Sequence, residues 1–300
     1  MDEPKFHIVD VFAEEPFAGN QLAVFENGHL YSDAEMQRLA REMNFSEITF
    51  IFPRESEDGC HKVRIFAPQG EMPFAGHPTL GTAFVIATSL SAVPPAEVAL
   101  SLKAGRIPVR LDYGERGEVC RLTMQQLPPV FGPEVDPAAI AEALGLPADA
   151  LDARYPVQQV STGVPFLIVP LSTRSALETI KVEPQAVSRA LAHVDAKAVL
   201  AFCPEPYEPQ NQLSARVFVH HMGIPEDPAT GSANGCLAGY LLHYEYFGAG
   251  PLDIRVEQGY GMGRKSLLYL TGERSGDQYR VQVGGKVQRV ARGSLSPDAT

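Results

Sequence analysis

Residues 216–232 read Arg216-Val217-Phe218-Val219-His220-His221-Met222-Gly223-Ile224-Pro225-Glu226-Asp227-Pro228-Ala229-Thr230-Gly231-Ser232. About half a chain earlier stand Arg64-Ile65-Phe66 and then Pro73-Phe74-Ala75-Gly76-His77-Pro78. In both places a strand-like segment leads through a glycine-containing loop into a helix of small apolar residues, expected over 78–90 and 233–246. Neither helix has a charged face, so each is expected to be buried on every side. A match this short is either chance or the trace of a duplicated domain. Duplication predicts an α+β fold of two similar domains, each a sheet wrapped around one buried helix, with a cleft between them.

The rest of the chain is compatible with that architecture. Gly (26) and Pro (25) cut its 300 residues into short pieces, which favours strands and turns. Strands are expected at 5–11, 22–25, 47–52 and 61–66, and a meander at 98–102, 107–111 and 119–124. Ser32-Asp33-Ala34-Glu35 is a capping box that opens a helix to about residue 43, with Met36, Leu39, Ala40 and Met43 on one face. The Pro-rich stretch 127–133 is the best linker candidate, and Asp136 caps a helix to about 144. Beyond it come a strand-like run at 157–169, one or two helices between 172 and 193, and a strand at 215–220. Further strands follow at 252–257, 265–271, 279–283 and 286–290. Domains are expected at 1–127 and 128–289, with final strands near 290–300 returning to the first.

The length suits about two domains. Net charge is −11, which argues against a general binder of nucleic acid or anionic membranes. The first 150 residues hold 11 Lys/Arg against 22 Asp/Glu and the second 150 hold 14 of each, so the whole excess lies in the first half. Four scattered cysteines show no metal-site spacing and suggest a reducing cytoplasm. The opening MDEPKFHIVDVF has no basic region followed by an apolar one, so no signal peptide is expected, and no apolar run is long enough to predict a membrane span.

Candidate chemistry gathers at the two glycine loops. Helix N-termini expose unpaired N–H groups and a partial positive charge, so Gly76-His77-Pro78 and Thr230-Gly231-Ser232 either bind a small anion or merely form turns. His77 is either a backbone-bonded structural histidine or a hydrogen-bond or proton donor. Glu47 lies among apolar neighbours in Asn44-Phe45-Ser46-Glu47-Ile48-Thr49-Phe50. It is either an exposed edge-strand glutamate or a carboxylate whose charged form is disfavoured in an apolar cleft, as general acid–base work requires. Asp227 is either a turn aspartate or a site residue. Gly259-Tyr260-Gly261-Met262-Gly263-Arg264 precedes a strand and not a helix, so it fails as a dinucleotide loop. His220-His221 has no acidic partner at zinc-site spacing, so no metal is expected.

These segments, together with Val9-Asp10-Val11-Phe12, Pro16-Phe17-Ala18-Gly19-Asn20, Ser161-Thr162-Gly163-Val164-Pro165-Phe166 and Glu257-Gln258-Gly259, closely resemble the PhzF family of phenazine-biosynthesis isomerases. The resemblance runs from about residue 6 to 293. It implies the diaminopimelate-epimerase-like fold, two pseudo-symmetric domains with the active site between them. It also implies a cofactor-independent isomerase moving a proton on a small carboxylic acid like trans-2,3-dihydro-3-hydroxyanthranilate. Glu47 is then the general acid/base, His77 and Asp227 share the catalytic work, and Ser46, Gly76, Gly231 and Ser232 bind substrate. A cytoplasmic homodimer is implied as well. Racemases of this fold resemble each other in two facing cysteines; Cys236 has no counterpart in the first loop, which disfavours a thiol mechanism. Two alternatives stay open: a binding protein without chemistry, and an amino-acid epimerase using Glu47 and Asp227 as two bases.

Overall fold

A computed structural model describes residues 4–53 and 59–296 of the chain. The first three residues of the opening segment, residues 54–58 of the first expected domain, and the last four of the expected return at 290–300 lie outside the described residues. Contacts divide the chain into two compact units: one runs to Met124 and resumes at Gly284, and the other spans Gln125–Val283.

The first unit starts with strands β1 (Lys5–Val11) and β2 (Asn20–Phe25), helix α1 (Asp33–Met43), and strands β3 (Ile48–Ile51), β4 (His61–Ala67) and β5 (Gly70–Met72). Helix α2 (Gly76–Val85) follows, then strands β6 (Glu97–Leu102), β7 (Gly105–Tyr113) and β8 (Val119–Gln125). The second unit contains β9 (Val130–Glu134), α3 (Pro137–Ala143), β10 (Gln158–Ser161), β11 (Pro165–Pro170), α4 (Arg174–Thr179), α5 (Pro184–Ala190), β12 (Ala198–Cys203), β13 (Leu213–Val219) and β14 (Ile224–Asp227). It ends with α6 (Gly231–His243), β15 (Leu252–Gln258), β16 (Ser266–Ser275) and β17 (Gln278–Gly285), after which β18 (Val287–Ser294) belongs to the first unit.

The strand pairings show the same topology twice. In the first unit β18 pairs antiparallel with β1, β1 antiparallel with β2, β2 parallel with β3, β3 antiparallel with β4, β4 parallel with β6, and β6 antiparallel with β7. In the second, β9, β10, β11, β12, β13, β15 and β16 repeat that sequence of directions step for step. In each unit a short antiparallel hairpin partner, β5 or β14, leaves the central strand and delivers the chain to the buried helix.

The echo has a side-chain counterpart. Arg64 grips Glu71 through two hydrogen bonds of 2.8 and 2.9 Å, and Arg216 grips Glu226 through two of 2.9 and 2.7 Å. Each guanidinium also lies over the phenylalanine two residues on, 5.0 Å from the Phe66 ring and 4.9 Å from that of Phe218. Such planar bidentate pairing fixes geometry as well as adding energy. Each glutamate stands five residues before the first glycine of its buried helix, so the clamp sets where the helix begins.

Both central helices are buried all round, as their composition requires. Only Phe84 in α2, and only Ser232 and His243 in α6, escape full burial. By contrast α1 is amphipathic. Its capping box is formed as expected, with Glu35 N–H donating to Ser32 Oγ and Ser32 N–H donating to the Glu35 carboxylate. Met36 and Ala40 pack into an aromatic cluster of Phe25, Tyr31, Phe50 and Phe66, with Leu39 and Met43 at its margin.

Several expected elements differ in detail. Helix α2 begins two residues before the expected Pro78 and gives way at Ile86–Leu90 to a π turn. The run at 157–169 is a hairpin and not one strand, because Gly163 has φ 122° and turns the chain back. The linker candidate 127–133 is largely strand β9, paired with β10, since its prolines suit an edge. Strand β12, buried at every position, has no counterpart in the sequence reading. Among the described residues no helix is long and apolar enough to cross a membrane.

Candidate active site

Glu47 sits where the chain leaves α1 and starts β3. Asn44 ends the helix in the left-handed conformation (φ 51°), and Phe45-Ser46 lead into the strand. Glu47 is buried, 7% exposed, and Ser46 beside it is half-buried. The exposed edge-strand reading of Glu47 therefore fails. His77, the second residue of α2, is 4% exposed. Its Nε2 lies 3.6 Å from Glu47 Oε2. A hydrogen bond of 2.8 Å between the buried hydroxyls of Thr49 and Thr82 ties β3 to α2 and so holds that spacing.

The other ring nitrogen of His77, Nδ1, meets Asn20 Nδ2 at 3.2 Å. Asn20 opens β2 at the end of a tightly wound loop. Within that loop Phe12 (φ 61°) and Phe17 (φ 68°) occupy the left-handed region, and the Asp10 carboxylate accepts the Phe17 N–H at 2.7 Å. Bulky residues in that region are strained, at roughly 1–2 kcal/mol each. The loop is held in an unfavourable shape that places Asn20 against the histidine.

Burial pushes the His77 imidazole down to about 3, a backbone hydrogen bond at Gln21 being the lesser, opposing influence. The ring is therefore uncharged at neutral pH. The contact with Glu47 joins a neutral imidazole to a carboxyl group and is not an ion pair. Nε2 of His77 makes no hydrogen bond among the described residues. The first two residues of α2, Gly76 and His77, add backbone N–H groups with no side-chain cap from Ala75, and Pro78 has no N–H to contribute.

Asp227, Gly231 and Ser232 belong to the second unit, where they form a group of their own. Asp227 is buried (8% exposed) and its Oδ2 accepts the Thr230 hydroxyl. Gly231 and Ser232 are the first two residues of α6, again without a side-chain cap. Buried beneath the loop is Gln258. Its Oε1 accepts from Thr230 N at 3.2 Å and Asn234 Nδ2 at 2.9 Å, while its Nε2 donates to Asp227 O at 2.8 Å and Thr230 Oγ1 at 3.1 Å. The next residue, Gly259 (φ 76°), lies so close to the loop that a Cβ there would come within 2.6 Å of Pro228 O. Glu257, fully buried, accepts hydrogen bonds from Tyr207 N, Glu208 N, Asn211 Nδ2 and Ser214 Oγ.

Asn20, Asn234 and Gln258 gained no role from the sequence. Asn20 and Gln258 stand inside segments noted above for other reasons, whereas Asn234 carries no local signal. Cys236 is buried, with its Sγ 3.6 Å from Thr162 Oγ1, and desolvation pushes the thiol up to about 11. That is a protonated, inaccessible sulfur, unsuited to proton abstraction. Among the described residues no three His, Cys, Asp or Glu side chains gather as a metal site.

The profile of the family described as phenazine biosynthesis-like protein, PhzC-PhzF, matches residues 9–293. The chain belongs to this family. It is 34% identical to the trans-2,3-dihydro-3-hydroxyanthranilate isomerase of Pseudomonas aeruginosa, over 96% of this chain and 98% of that one. A predicted epimerase of the same organism shares 32% identity and superposes with a TM-score of 0.81, covering 97% of this chain and 99% of the other. A PhzF-family protein of Bacillus anthracis superposes with a TM-score of 0.90 at 24% identity, covering 99% and 100%. The doubled topology is thus the epimerase-like fold of the PhzF family, and the protein is an isomerase.

Proposed function

We propose that this PhzF-family member is a cofactor-independent isomerase that relocates a proton on a small unsaturated carboxylic acid of the trans-2,3-dihydro-3-hydroxyanthranilate type, with Glu47 as its acid–base group. The observation that carries the reading is the buried contact between the Glu47 carboxyl and the uncharged His77 ring. An imidazolium beside Glu47 would lock it as an anion. A neutral imidazole leaves it able to hold or release a proton, and burial narrows the gap between its two forms.

In the forward direction the Glu47 carboxylate removes a proton from an sp³ carbon of the substrate, and the bonding pair enters the conjugated system. Glu47, now a carboxylic acid, returns the proton to a different carbon of that system. Atoms and electrons balance within one molecule, so the step consumes no oxidant and no co-reactant. His77 Nε2 and Asp227 hydrogen-bond the substrate's polar groups, and Ser46 and Ser232 help orient it. Backbone N–H groups at Gly76 and Gly231 receive its carboxylate, the charge that a helix N-terminus favours. The same reading makes the enzyme a cytoplasmic homodimer.

Turnover of the dihydrohydroxyanthranilate in deuterated water, followed by NMR, tests the reaction. Migration of the proton between two carbons, with protium retained or exchanged, supports it. Full turnover by Glu47→Gln overturns the mechanism.

A further inference from the structure

We propose that Gln258 and Thr230 are positioning residues that orient the hydrogen bonds around Asp227 so that this side chain works as a fixed acceptor and not as a second proton-transfer base. The inference deepens the function proposed above and rests on it for the role of Asp227. All of these groups belong to the second unit.

The orientation of the Gln258 amide follows from groups that have no choice. The Thr230 backbone N–H can only donate, so the Gln258 atom it meets at 3.2 Å is the carbonyl oxygen. Asn234 Nδ2, which donates to the Thr230 carbonyl at 3.0 Å, donates to that same Gln258 oxygen at 2.9 Å. The other end of the Gln258 amide is then the NH₂ group, and its bond of 2.8 Å to the Asp227 carbonyl, a pure acceptor, agrees. The NH₂ group also donates to Thr230 Oγ1 at 3.1 Å. The Thr230 hydroxyl in turn donates its single proton to Asp227 Oδ2, which as an ionised carboxylate can only accept. The chain runs one way, from amide to hydroxyl to carboxylate.

A carboxylate that accepts such a bond is favoured in its charged form. Burial keeps the arrangement rigid: Gln258 is 1% exposed and Asn234 fully buried. A general base must pick up and lose a proton with ease, whereas a preorganised acceptor must not. Asp227 is thereby suited to accept a hydrogen bond from an amino or hydroxyl group of the substrate. Proton relocation falls to Glu47, and a two-carboxylate epimerase is disfavoured.

The test is ¹³C-carboxyl NMR of the full-length protein with labelled aspartate, the Asp227 signal being assigned by its loss in Asp227→Asn. Thr230→Val is expected to raise the titration midpoint of Asp227 by about one pH unit. Thr230→Ser, which restores the hydroxyl, is expected to return it to the wild-type value. Gln258→Met is expected to shift it in the same direction as Thr230→Val but less. Should Gln258→Met fail to fold, the Thr230→Val and Thr230→Ser pair decides alone. An unchanged midpoint in Thr230→Val, or a shift that Thr230→Ser does not reverse, overturns the inference. The titration needs no substrate. A shifted midpoint in an enzyme that does not turn over the dihydrohydroxyanthranilate therefore upholds the network and overturns the proposed substrate.

Discussion

The Nε2 atom of His77 stands 3.6 Å from Oε2 of Glu47, both side chains are buried, and the histidine is uncharged at neutral pH. The carboxyl group thus has an uncharged polar neighbour in that ring. Activity and pH dependence both follow from that pairing.

Glu47→Gln keeps the shape and the neighbour but cannot carry a proton between carbons. Its kcat is expected to fall by roughly 10²–10⁴-fold, the range for loss of a general acid–base group. The melting temperature should stay near that of the wild type, because a neutral amide is no harder to bury than a carboxylate. Steady-state kinetics beside a thermal melt separate the two effects.

The histidine makes stability depend on pH. Its folded-state value lies well below its unfolded value, so the folded protein binds this proton less readily. The His77 contribution is whole above about pH 6.5 and is lost as pH falls toward the folded value, at up to about 1.4 kcal/mol per pH unit. Glu47 faces the ring, so denaturant midpoints of wild type are best compared with those of His77→Gln from pH 7 to pH 4. The slope should be shallower in the variant.

Asn20 is expected to act on rate through the histidine. Asn20→Asp places a carboxylate against Nδ1, stabilises the imidazolium and raises the His77 titration toward ordinary values, which ring-proton NMR reads directly. The charged ring would then hold Glu47 as an anion, and kcat should drop by about tenfold or more, with KM less affected. Asn20→Ser, which still offers a donor, should retain more activity than Asn20→Asp.

Glu257 predicts a stability effect away from the chemistry. Four donors converge on its buried carboxylate, two of them backbone N–H groups from Tyr207 and Glu208. Glu257→Ala leaves all four without their acceptor and is expected to cost about 3–5 kcal/mol by denaturant unfolding. Glu257→Gln should cost less but still measurably, since its NH₂ group would face donors on one side.

Much of the fold was legible locally. The capping box at Ser32 and Glu35 forms within one turn, and the chargeless helices α2 and α6 announce their own burial. Strand β12 escaped because it is buried at every position, so the alternation that marks a half-exposed strand is absent. The run at 157–169 looked continuous because its apolar residues flank the turn at Gly163 on both sides. Glu47 and His77 were picked out by residue type and resemblance, yet the neighbours of Glu47 in the chain by themselves favoured an exposed edge-strand glutamate.

The amino-acid sequence alone marked the repeated pattern of strand, glycine loop and small-residue helix, because that pattern is a local matter of spacing and backbone freedom. That it is a duplication, and that each helix starts two residues earlier than expected, came only with the strand pairings and the backbone of the structure. The tertiary structure decided which polar groups meet. Glu47 and His77 are thirty residues apart and come together only because β3 packs on α2, while Gln258 reaches Asp227 only because β15 runs parallel to β13. The charge state of His77 belongs to this second class: no neighbour in the chain withdraws the ring from water, and only the packed core does.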